Sequence, residues 1–155
     1  MDVKELLKSK YGLELPNPPK PIGVYRPISQ VGNVLYLSGQ TSTRDGQLLY
    51  KGVVGKDYTV EEAQVAARIC ALNLLAVLYE YLKGDLSQVK QVVQMVGYVR
   101  SAEGFGDQPA VINGAAQLFV DVYGEAGIPS RLALGTNELP GGAPVEVMAV
   151  VELKA

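Results

Sequence analysis

Histidine is absent from this 155-residue chain and Cys70 is its only thiol. Chemistry therefore falls to carboxylates, guanidinium groups, hydroxyls and amides. One pair stands out. Arg131 opens the run Ser130 to Val150, and Glu146 lies near its end. The run reads as strand, tight turn, strand, with Gly141-Gly142 in the turn. Arginine presents a planar fork of donors that fits a carboxylate. A nearby glutamate can hold a water molecule or move its proton. Each residue also has an ordinary reading: Arg131 as a surface arginine at a strand end, Glu146 as a strand glutamate facing solvent.

The bulk composition narrows the field. Fourteen Lys and Arg against sixteen Asp and Glu leave a net charge of −2, without a basic block. Such a chain has no long-range attraction for nucleic acid. A lone cysteine permits neither an intramolecular disulfide nor a cysteine-built zinc site. Without histidine the usual zinc, copper and haem ligand sets are missing too, so no metal and no cofactor is expected. The start, Met1 to Lys8, lacks the apolar centre of a signal peptide. The stretch Ile69 to Leu82 is interrupted by Asn73 and Glu80 and is too short to span a bilayer. The expectation is a soluble cytoplasmic protein away from membranes, with one domain that buries about 70% of its unfolded surface.

Positioning the pair requires a scaffold. Asp2 to Tyr11 suits a short helix, with Val3, Leu6 and Leu7 on one side. Four prolines between Pro16 and Pro21 force an extended lead-in. A strand is expected from Ile22 towards Gln30, a turn at Gly32-Asn33, and a partner strand from Val34 to Gln40. Asp45-Gly46 marks a short added hairpin. Thr59 and Glu62 form a capping box. The helix that follows carries Ala63, Ala67, Cys70, Leu74, Leu78 and Leu82 as its buried stripe and stops at Gly84. Val89 to Arg100 reads as the strongest strand, with Val89, Val93, Met95 and Val99 on one face. Asp107 begins a second core helix striped by Val111, Ala115, Leu118 and Val122. In the last strand Val145, Val147, Ala149, Val151 and Leu153 share one face. The other face mixes Glu146, Met148, Val150 and Glu152, which suggests cover by another subunit. Hairpins with two helices on one face make an α+β sandwich.

The residues Pro21 to Tyr25, Gly32 to Gln40, Asn113 and Arg131 to Val150 resemble the reactive intermediate deaminase family, also called YjgF/UK114 or endoribonuclease L-PSP. The most specific part is an arginine, then Leu139-Pro140, then Val145-Glu146-Val147. The resemblance covers residues 21–155 as the deaminase-like domain, with 1–20 as an N-terminal extension. It implies a chorismate-mutase-like fold, mostly antiparallel with two helices on one face, assembled as a homotrimer with clefts between subunits. It implies hydrolysis of enamines and imines of the 2-aminoacrylate type to 2-oxo acids and ammonia. Arg131 would bind the substrate carboxylate and Glu146 would hold or activate water. Tyr25, Ser38, Gly39 and Asn113 would line the cleft. Ala133 stands where many deaminating members carry Cys, Ser or Thr, and Leu134-Gly135 replaces a valine and a glutamate. A non-catalytic module for small carboxylates is the alternative these departures motivate. A ribonuclease or translation inhibitor is disfavoured by the charge balance.

Overall fold

A computed structural model describes residues 2–155. Its frame is a five-stranded sheet in the order β1-β2-β7-β5-β6. The strands are β1 (Ile28–Val31), β2 (Val34–Thr41), β5 (Val89–Arg100), β6 (Ser130–Thr136) and β7 (Val145–Leu153), while β3 (Thr43–Arg44) and β4 (Gln47–Leu48) form a separate ribbon. The described residues also form three α-helices: α1 (Val3–Tyr11), α2 (Val60–Tyr81) and α3 (Gln108–Tyr123).

Local chemistry accounts for the element ends. Thr59 and Glu62 exchange hydrogen bonds at the start of α2, 3.2 Å each way between backbone and side chain. Beyond its end, Gly84 takes a positive φ of 87° and donates to the Tyr79 carbonyl. Asp45 and Gly46 both adopt positive φ, which suits the tight two-residue turn between β3 and β4. Pro109 sits in the first turn of α3, where its missing N–H would find no partner anyway. Asp107 precedes α3 but makes no side-chain cap.

The core lies between one sheet face and the helices. Leu35 and Leu37 of β2, Met95 and Val99 of β5, and Val145, Val147, Ala149 and Val151 of β7 are buried there. They meet Ala67, Cys70, Leu74 and Leu78 of α2, and Val111, Ala115 and Leu118 of α3. Leu7 of α1 joins the same core. By length and composition alone α2 would pass for a membrane span, yet two thirds of its most apolar window is buried inside the protein.

Three expectations are corrected. The C-terminal run is not a hairpin: β5 lies between β6 and β7, and β6 runs parallel to β5. The sheet is therefore mixed. A strand–helix–strand order with a 16-residue helix brings the chain back to the same sheet end, which makes the flanking strands parallel. Residues 137–144 then pass over the end of β5, held by Arg100, whose side chain donates to the Asn137 and Gly142 carbonyls and pairs with Glu138 at 3.2 Å. Second, β5 buries Val92 rather than Val93, because the register shifts at Lys90 and again at Val93. Each irregularity inserts a residue and flips the alternation. Third, residues 22–25 are bends rather than strand, with β1 confined to Ile28–Val31.

Candidate functional site

The sheet separates the two residues singled out for chemistry. On β6, Arg131 aligns with Met95, whose side chain enters the core on the helix side. Its guanidinium donates from Nη1 to Asn113 Oδ1 at 2.7 Å and from Nη2 to the Pro109 carbonyl at 3.2 Å. Both acceptors belong to α3, so this helix aims the fork. On β7, Glu146 follows the buried Val145 and precedes the buried Val147. Strand alternation turns it to the opposite sheet face. One chain therefore holds Arg131 and Asn113 in one place and Glu146 in another.

Glu146 lies in the wall of a cavity of about 780 Å³ with Tyr25, Ser38, Gly39, Gln40 and Asn73. Neither Arg131 nor Asn113 lines it. Asn113 lines a shallower groove between α2 and α3 with Gln64, Arg68 and Gln117. The expected residues thus divide into two groups. Tyr25, Ser38, Gly39 and Glu146 converge; Arg131 and Asn113 converge elsewhere.

The Glu146 group has a definite local cause. The pairing of β2 with β7 shifts between Leu37 and Gln40, so Ser38 and Gly39 fall outside the regular ladder. Ser38 ties the lead-in to this irregularity: its hydroxyl donates to the Arg26 carbonyl and its N–H to the Pro27 carbonyl. Gly39 leaves the space that Glu146 occupies. A Cβ there would stand 2.5 Å from Glu146 Oε1, far inside normal contact. Tyr25 is half exposed, and its hydroxyl accepts a long 3.4 Å bond from the Ile22 N–H.

Burial raises the pKa of the Glu146 carboxyl above its ordinary value of 4.5. A carboxyl so placed stays protonated to higher pH and, once ionised, is a stronger base. Beneath it Cys70 is fully buried, with its thiol directed at the Val145 carbonyl 3.6 Å away. Burial, reinforced by the charge of Glu146, pushes that thiol far up, so Cys70 is no nucleophile.

One contributor escaped the sequence reading. Asn73 of α2 is completely buried and lines the cavity. Its Nδ2 donates to the Thr41 carbonyl at 3.1 Å and the Thr43 carbonyl at 2.9 Å. It thereby fixes the corner where β2 leads into β3, beside Thr41, the register partner of Glu146. Its signal was a lone amide within a long apolar stripe. On the other side, Ala133 stands two residues beyond Arg131 on the same side of β6 and packs against the core with its methyl group.

Comparisons with known proteins agree on the kind of molecule this is. A family model described as "YjgF/chorismate_mutase-like, putative endoribonuclease" matches residues 6–154. Protein TCP17 of Trypanosoma cruzi is 40% identical over 145 residues, 93% of this chain and 90% of its own length. A 2-iminobutanoate/2-iminopropanoate deaminase of Dermatophagoides farinae is 28% identical over 144 residues, 92% of this chain and 95% of its own. Among solved structures, a Shewanella oneidensis protein carrying the same endoribonuclease description is 35% identical. It superposes with a TM-score of 0.93 over 99% of this chain and 100% of its own.

Proposed function

The chain belongs to the YjgF/chorismate-mutase-like family, and from that premise we propose that it hydrolyses reactive imines and enamines of 2-oxo acids in a cleft completed by a neighbouring copy. The observation that carries this reading is the division of the site into two complementary halves. Arg131 sits on β6, an edge strand of the sheet, with its guanidinium oriented by Asn113 and the Pro109 carbonyl. Glu146 sits in a cavity with Tyr25, Ser38 and Gly39. Within one chain they lie on opposite sheet faces; across two copies the edge of one can meet the cavity of the other. A closed threefold arrangement would repeat that contact, since a head-to-tail interface forms a ring when its rotation closes.

The roles follow from chemistry. The substrate carboxylate rests on the Arg131 fork, a charge-assisted contact worth about 1.5–3 kcal/mol. The enamine tautomerises to the imine, whose carbon is already electrophilic. Glu146 orients the attacking water and accepts its proton. Water oxygen bonds to the imine carbon as its first proton passes through Glu146 to nitrogen, giving a carbinolamine; the hydroxyl proton then follows the same route, the C–N bond breaks, ammonia leaves and the carbonyl of the 2-oxo acid forms. Gly39 offers backbone outside the regular ladder, Ser38 holds the lead-in beside it, and Tyr25 covers the substrate. General base help of this type contributes typically 10²–10⁴-fold. That scale is adequate for a reactive imine. The deaminase name of the 28% identical relative supports the same chemistry.

Mixing two inactive variants tests both the roles and the shared cleft. Arg131→Ala and Glu146→Gln should each leave ammonia release from 2-aminoacrylate generated in situ close to its uncatalysed rate, while keeping the far-ultraviolet spectrum of the parent. Unfolded together and refolded as mixed assemblies, they should regain part of the parent rate, because some clefts then combine an intact arginine with an intact glutamate. Full activity in Arg131→Ala alone would remove the anchor role. Two dead variants that stay dead when mixed would remove the shared cleft.

A further inference from the structure

The cavity behind Glu146 extends well beyond a three-carbon imine. In the single chain it measures about 780 Å³, within the roughly 300–1,000 Å³ range of pockets that enclose drug-sized ligands, and the neighbouring copy that completes the cleft takes part of that space. Its reacting end is Glu146 with Ser38 and Gly39. Its far walls come from two other features, the extended lead-in through Pro18, Pro19, Lys20 and Ile22, and the β3–β4 hairpin through Thr43, Asp45 and Gly46.

The prolines restrict the first wall, and hydrogen bonds anchor the second. Proline fixes φ and has no N–H to satisfy, so the lead-in presents ring carbons without requiring a partner strand. The stretch Asn17 to Lys20 also lines a second cavity of about 600 Å³ that reaches Ile28, Val77 and Tyr81. The lead-in is thus a partition with space on each side. The hairpin wall is fixed through the two hydrogen bonds from Asn73 at its root. Backbone restricted in this way lowers the ordering cost of binding.

We infer that this compartment receives the substrate's side chain, and that the lead-in and the β3–β4 hairpin select imino acids bearing a long aliphatic or aromatic group over the three-carbon imine. This rests on the deaminase reading for the reacting end, and on the cavity for the rest. The bonds made and broken at the imine are unchanged; the side chain passes through intact while its carbons pack on Pro18, Pro19, Ile22 and the Tyr25 ring. Ile22 is 95% exposed in the single chain, so it has apolar surface to offer and no packing of its own to lose.

Imines formed in situ from alanine, leucine and phenylalanine by an L-amino-acid oxidase provide the test, with hydrolysis followed as loss of semicarbazide trapping. The leucine and phenylalanine imines should show kcat/KM about tenfold or more above the alanine imine, the scale a hydrophobic pocket provides for added methylenes. Ile22→Ser should raise KM for the leucine imine severalfold, leave its kcat little changed, and narrow the preference over alanine. A preference for the alanine imine would overturn the inference and leave the deaminase reading intact. A parallel measurement separates the two in the other direction, through thermal shifts with the stable products pyruvate, 4-methyl-2-oxopentanoate and phenylpyruvate. If the longer acids raise Tm more than pyruvate while no imine of any length is hydrolysed, the compartment stands and the deaminase reading falls. If neither turnover nor a graded shift occurs, both fall.

Discussion

Under the deaminase reading, Glu146 is a side chain costly to the fold and useful to the reaction. Burial raises its pKa, so the folded state keeps the proton at pH values where the unfolded chain has lost it. The folded state therefore binds more protons between the ordinary value of 4.5 and the raised one, and stability falls as pH rises through that window. Activity moves the opposite way, because only the carboxylate can accept a proton from water. Ammonia release should therefore switch on with rising pH at a midpoint above 4.5. Glu146→Gln should abolish that limb together with most of the rate, and should flatten the matching slope in urea stability. A rate limb at or below the ordinary carboxylate range would show that some other group controls it. Gly39 belongs to the same account. With any larger residue there, a Cβ would meet Glu146 Oε1, and the carboxyl would have to leave its place in the cavity wall.

At the scale of elements, the buried amide of Asn73 does for the cavity what α3 does for Arg131. Its Nδ2 satisfies two carbonyls at the exit of β2, and a buried acceptor left without a donor costs about 1–3 kcal/mol. Asn73→Ala should lower the urea unfolding free energy by at least that amount and reduce kcat more than it changes the far-ultraviolet spectrum. An unchanged urea midpoint would mean that water replaces the amide at no cost. The helices were legible in the sequence because periodicity, the Thr59 and Glu62 box and the glycine stops all agree with one another. So were β2, the extent of β5 and the Asp45-Gly46 turn. Pairing was less legible. Nothing in the residues between Gly135 and Pro144 distinguishes a turn joining neighbours from a loop crossing a third strand; that choice depends on β5 filling the central place. The bulges of β5 escaped for a related reason. Val92 and Val93 are chemically alike, and only the ladder shows which one faces inward. The motif singled out the candidate site residues as one set, but their separation into two groups is a property of strand parity and sheet order.

For the whole molecule, that separation meets an unfinished surface. The sheet face turned from the helices exposes Tyr36, Tyr98, Leu132 and Leu134, each between 38% and 50% accessible. Val96 and Met148 lie among them through the paired registers of β5, β6 and β7. Along the margin Glu152 meets Lys90 at 3.3 Å and Gln91 at 2.6 Å. An apolar centre with a polar margin is the anatomy of a surface that packs on another protein, and β6 leaves one edge unpaired beside it. Under the shared-cleft reading the occupant is another copy, and assembly and catalysis depend on the same contacts. The parent should then sediment at about three times its 16.6 kDa chain mass. Leu134→Lys changes neither Arg131 nor Glu146, and its side chain leaves the surface rather than the core, so each chain should still fold. Placing a charge at the centre of the covered face should nevertheless shift the protein to single chains and take ammonia release down with it, both recovering in proportion as protein concentration rises. A variant that sediments as a single chain yet keeps the parent rate would show that one chain suffices, and the separation of the two half-sites would then need another explanation.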